Sequence, residues 1–140
     1  MNWAWYAVLS AFFGALVAIF GKIGVRGVDS NLAVAFRTAI IVFFAWGIVA
    51  VQGNASDLFK ISRHSLLFLF LSAIATGLSW LFYYKALQIG EASRVAPIDK
   101  LSVALAVGLA FVFLGEKPHL GNVLGASLIV AGVLVTVFVK

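Results

Sequence analysis

The chain has 140 residues, 64% of them hydrophobic and only 11% charged, with a mean hydropathy of +1.12. Soluble domains carry roughly 25% charged residues, so the composition excludes an ordinary globular enzyme and points to a polytopic membrane protein. The net charge of +5 is carried at the edges of apolar runs, where it meets anionic lipid or solute rather than nucleic acid. The absence of cysteine excludes disulfides, a thiolate metal site and thiol redox chemistry.

Five apolar runs of spanning length follow one another at about 3–21, 31–51, 65–85, 97–115 and 120–139. A bilayer core about 30 Å thick takes roughly 20 helical residues. Strand spans would be about half that length and strictly alternating, so the expected fold is all-α with five transmembrane helices. Nothing basic precedes Trp3, so the first run reads as a true span rather than a signal core. It ends against Lys22 and Arg26. The second run begins after Asp29-Ser30-Asn31, a helix-capping cluster, and is broken in charge only by Arg37. The third is uncharged up to Lys85. The fourth has a short uncharged core, 101–115, and must borrow a turn from Pro97-Ile98-Asp99-Lys100 to span, its helix starting either at Pro97 or near Ser93, which sets both charges deeper. The fifth runs uncharged to Lys140. The loops between are too short for a folded domain, which leaves function to the helices and their ends.

An odd number of spans puts the termini on opposite sides, here side A for the N-terminus and side B for the C-terminus. Side A holds Lys60, Arg63 and Lys117; side B holds Lys22, Arg26, Lys85, Arg94, Lys100 and Lys140, with Arg37 nearby. Without Arg37, Lys85 and Lys100, which lie in or at the edge of the membrane, the balance is three against four. Lysine and arginine bias sets orientation, and so small a bias permits insertion both ways.

Arg37 lies about 9 Å along its helix from Asn31 at 1.5 Å per residue. Two readings compete. The side chain snorkels to the side B headgroups, or it faces an internal cavity and binds an anionic group, which the planar, permanently charged fork suits. We favour the cavity. Lys85, at the side B end of its helix, reads better as snorkelling. Asp99 and Lys100 are adjacent and cannot share an i,i+4 contact, so Asp99 is expected to partner Arg37 or Lys85 as an ion pair or as part of a site. Trp3, Trp5, Tyr6, Trp46, Trp80, Tyr83 and Tyr84 cluster at span ends and mostly read as interface belts. Trp80 and Tyr84, four apart on one face, have the alternative of lining a cavity. Gly121-x-x-x-Gly125, continued by Ser127, Ala131 and Gly132, forms a small-residue face that permits close helix packing. No acid falls in the middle of a run, whereas a proton-coupled cation exporter needs a buried carboxylate.

The stretches Tyr84-Lys85-Ala86-Leu87, Gly90-Glu91-Ala92-Ser93-Arg94-Val95-Ala96-Pro97-Ile98-Asp99-Lys100-Leu101-Ser102, Leu114-Gly115-Glu116 and Gly121 with Gly125 before Ile129-Val130-Ala131-Gly132 resemble the EamA-type repeat of the drug/metabolite transporter superfamily. Ile19-Phe20-Gly21-Lys22-Ile23-Gly24 and Phe36-Arg37 extend the resemblance over the whole chain. Most members carry two such repeats; this chain carries one and is similar to the five-span bacterial and archaeal subgroup. The resemblance implies one half of an inverted-repeat transporter, completed by a second, upside-down copy in a prokaryotic cell membrane. It further implies helices one to four around a cavity that takes a small-molecule metabolite, with no enzymatic activity and no cofactor or metal. Arg37, Lys85, Lys100 and Lys22 near that cavity tilt the expectation toward an anionic or zwitterionic solute, with Trp80, Tyr84 and Asp99 as further cavity residues. The rivals are a small multidrug-resistance-like cation exporter and a non-transporting scaffold or flippase subunit.

Overall fold

The computed structural model describes residues 2–139; Met1 and Lys140 lie outside them. The described residues form α1 (Trp3–Gly24), α2 (Ser30–Gln52), a short 3-10 helix (Ala55–Lys60), α3 (Arg63–Ile89), α4 (Ala92–Asp99), α5 (Leu101–Phe113) and α6 (Leu120–Phe138). With α4 and α5 taken together, five helical segments are long and apolar enough to cross a membrane. Helix is the form these residues take because lipid offers no partner for a backbone N–H or C=O, and an α-helix satisfies both internally.

The caps are local chemistry. Asp29 Oδ1 accepts from the N–H groups of Asn31 and Leu32 at 2.9 and 3.0 Å and so starts α2, as its place in the sequence predicts. Gly53 ends α2 at φ +73°, a left-handed conformation that a side chain would disfavour. Ser62 Oγ accepts from Ser65 N–H at the start of α3, and His119 Nδ1 from Gly121 N–H at the start of α6.

Two boundaries differ from the sequence expectation. α3 runs on to Ile89, so Lys85 lies a turn inside the helix rather than at its end. The fourth span starts at Ala92, beside the Ser93 start and not at Pro97. Pro97 therefore sits in the second turn and lacks the N–H that would meet the Ser93 carbonyl. The helix breaks three residues later, at Lys100 (φ −70°, ψ −6°), and Ser102 Oγ donates to the stranded Asp99 carbonyl at 2.7 Å. Asp99 thus lies inside the span, about 10 Å from its start at 1.5 Å per residue.

The chain divides into two compact units, residues 21–88 and residues 2–20 with 89–139. In the second unit α5 packs on α6, and an open groove of about 440 Å³ along their seam is lined by Ala104, Val107, Gly108 and Phe111 of α5 and Val123, Ala126, Ser127, Val130, Ala131 and Leu134 of α6, a spacing of three and four on both helices. Gly125 and Gly132 lie off this seam with nothing within 4 Å of an added Cβ, and Gly121 meets only its own capping His119. Among the described residues of its own unit the glycine face has room for an added Cβ at Gly125 and Gly132. In the first unit burial is concentrated at the side B end, at Gly21, Val25, Ser30, Val34, Tyr84 and Leu87. The many large apolar side chains exposed elsewhere suit a lipid surface.

Candidate solute-binding site

Trp80, Tyr84 and Leu87 recur at four and three residues on α3, which puts them on one face. That face is turned inward: Trp80 is half-buried, Tyr84 is 6% exposed and Leu87 fully buried. On α2, Val34 and Arg37 share a face by the same rule. The Arg37 guanidinium stands over the Trp80 ring, with Cζ 4.2 Å from its centroid, and 5.0 Å from that of Tyr84. It lies against the aromatic face of α3.

The two rings hold the cation without answering its hydrogen bonds. Arg37 Nη1 is buried and has no hydrogen-bond partner among the described residues. A cation over aromatic faces gains about 0.5–2 kcal/mol, while a buried donor left unpaired costs about 1–3 kcal/mol. The ring contacts therefore hold the guanidinium against α3 and leave an unmet demand for an acceptor. Beside it, Thr38 and Ile41 of α2 and Leu69, Ser72, Ala73, Thr76, Gly77 and Trp80 of α3 line an open cleft of about 390 Å³. Thr38 and Thr76 donate their hydroxyls to the Val34 and Ser72 carbonyls at 2.7 and 2.9 Å, the usual way a hydroxyl is satisfied within a span.

The side B end of this unit is clasped. Lys22 Nζ donates to the Leu87 carbonyl at 2.6 Å, a cation at the negative end of α3. Gln88 Nε2 donates to the Val28 carbonyl at 2.8 Å. Lys22 reads in the sequence as a basic residue near the cavity, but here it ties α1 to the end of α3. Lys85 is exposed and donates to Gln88 Oε1 at 3.1 Å. Asp99 pairs with Lys100, Nζ to Oδ2 3.3 Å. Adjacency argues against such a pair within a continuous helix, and the break at Lys100 is what permits it. Of the residues expected from sequence, Arg37, Trp80 and Tyr84 form one cluster. Gly21 and Gln88 carry no signal of their own in the sequence beyond their place at helix ends.

Among the described residues no three His, Cys, Asp or Glu side chains gather as metal ligands. A lone arginine on aromatic faces beside an apolar cleft is a binding arrangement. The sequence matches the EamA-like transporter family over residues 1–138. The chain belongs to that family.

Relatives agree. An uncharacterised transporter from the cobO 3′ region of a Sinorhizobium species is 45% identical over 95% of this chain and 94% of its own length. An uncharacterised protein of Methanocaldococcus jannaschii is 27% identical over 86% of this chain and 90% of its own. An uncharacterised transporter of Bacillus subtilis is 26% identical over 94% of this chain, which spans 41% of that relative. No solved structure matches. This EamA-like protein is an integral, multi-pass membrane transporter.

Proposed function

We propose that this EamA-like transporter carries a small anionic or zwitterionic metabolite and that Arg37 binds its carboxylate or phosphate. The observation that carries the reading is the Arg37 guanidinium, stacked on Trp80 and Tyr84 with Nη1 buried and unpartnered. A planar fork kept in place by two rings suits two parallel bonds to a carboxylate or phosphate. Lys85, Asp99 and Lys100 are each engaged by a near neighbour and have no part in the proposed contact. A cation exporter would use an ionised acid in the span, and the one acid there, Asp99, is answered by Lys100.

The working unit in this reading is a homodimer of oppositely oriented copies. The balance of three basic residues against four across the two sides and a Bacillus subtilis relative more than twice as long support it. The open Gly121, Gly125 and Gly132 face of α6 is the proposed contact between copies. A Cβ added at Gly125 has nothing within 4 Å among the described residues, so Gly125→Leu should leave the protomer folded and shift dimer toward monomer in size-exclusion measurements. Because the chain lacks cysteine, Asn2→Cys provides a single label whose reaction from both faces of intact cells is expected; labelling from one face only contradicts dual orientation. Solute class is tested by uptake into liposomes from a panel of anionic, zwitterionic and cationic metabolites. Uptake confined to cations contradicts the Arg37 reading.

A further inference from the structure

The geometry points to Gly21 as a positioning residue for the Arg37 site, acting through the ring of Tyr84. This rests on the reading of Arg37 as the anion-binding group and adds a residue with no polar atom of its own.

A Cβ built on Gly21 would lie 3.0 Å from Tyr84 Oη, 3.2 Å from Tyr84 Cζ and 3.3 Å from Leu87 Cδ1. Gly21 is buried and helical, and its φ is not in the left-handed region. What the site requires is therefore the missing volume rather than glycine's backbone freedom. Close packing leaves no slack to absorb a methyl group here. Leu87 is fully buried, and its carbonyl accepts from Lys22 Nζ at 2.6 Å. The Gln88 amide is tied to Val28 at 2.8 Å. With the end of α3 fixed at Leu87 and Gln88, the movable object is the Tyr84 ring. That ring is one of the two faces that hold the guanidinium, 5.0 Å from Cζ, and its other aromatic neighbour is Tyr83 at 6.2 Å. Pushing it away from α1 alters the seat of Arg37 directly.

The test uses the full-length protein in detergent and reads the position of Arg37 without any ligand. The rate of phenylglyoxal modification of each arginine is followed by peptide mass spectrometry. In Gly21→Ala, Arg37 should react faster by about fivefold, within the range of coupling between contacting residues, while Arg26, Arg63 and Arg94 keep their wild-type rates. An unchanged Arg37 rate overturns the proposal. So does an equal acceleration at all four arginines, which reports general loosening.

Two further backgrounds separate seating from packing. Tyr84→Phe removes the atom nearest the added Cβ, so Gly21→Ala/Tyr84→Phe should recover most of the protection. In Tyr84→Ala the ring is gone, and adding Gly21→Ala should change the Arg37 rate no further; an additional effect there means that Gly21 acts by another route and overturns the proposal. These doubles also report if the Gly21→Ala single variant fails to insert. Sulfate binding followed on the same proteins tests the underlying reading separately. If Arg37→Ala binds sulfate as the wild type does, the anion-binding reading fails whatever the modification rates show.

Discussion

Arg37 and the Asp99/Lys100 pair both place charge inside membrane-spanning helices, and the protein satisfies them differently. At the break between α4 and α5 the two charges neutralise each other over 3.3 Å, and Ser102 answers the freed Asp99 carbonyl. Arg37 has aromatic faces for company and a buried nitrogen with no acceptor. Charge that is answered by its neighbour serves the backbone; charge that is held rigid and left unanswered is available to something that comes and goes. In the proposed reading that difference separates the basic residue that binds from those that build, although all of them look alike as letters.

The comparison is broken most severely at Arg37. Truncating one partner of a desolvated charge contact costs about 2–5 kcal/mol, so Arg37→Ala should remove uptake of an anionic solute while the protein inserts and melts normally. Arg37→Lys keeps the charge and loses the fork, so uptake should fall but persist. Full uptake in both variants, measured in liposomes with equal protein content, places Arg37 among the merely structural charges.

Lys22 sharpens the comparison from the structural side. Hydrogen bonds to charged groups contribute about 1.5–3 kcal/mol, and Lys22→Met removes one from the end of α3. The melting temperature should drop measurably while the solute preference stays that of the wild type. A change of preference with no loss of stability assigns Lys22 to the site instead.

Asp99→Asn should have the smallest effect. The pair is partly exposed and such pairs contribute at most about 1 kcal/mol, so uptake and melting should both stay close to wild type. A large loss of uptake would mean that the pair at the helix break is functional.

These distinctions were only partly legible in the sequence. The five spans were, because uncharged runs of this length have no other stable form in lipid, and the Asp29 cap was, because capping is local. The start of the fourth span was legible only as a choice between Pro97 and Ser93: Arg94, Asp99 and Lys100 interrupt the apolar run, and hydropathy cannot tell a broken helix that pairs its own charges from a loop. Arg37 stood out by depth alone. The role of Tyr84 was harder to read, since an aromatic near a span end fits an interface belt as well as a seat for a cation. The closeness of Gly21 to Tyr84 joins residues more than sixty positions apart and leaves no trace in periodicity.

The most direct test of the central claim is the dissociation constant of sulfate for the purified protein at constant ionic strength, compared among wild type, Arg37→Lys and Arg37→Ala. Sulfate stays fully ionised across the working pH range, so any difference reports the protein. The account predicts tight, weaker and absent binding in that order, with unchanged unliganded melting temperatures. Equal sulfate affinity in wild type and Arg37→Ala would contradict it.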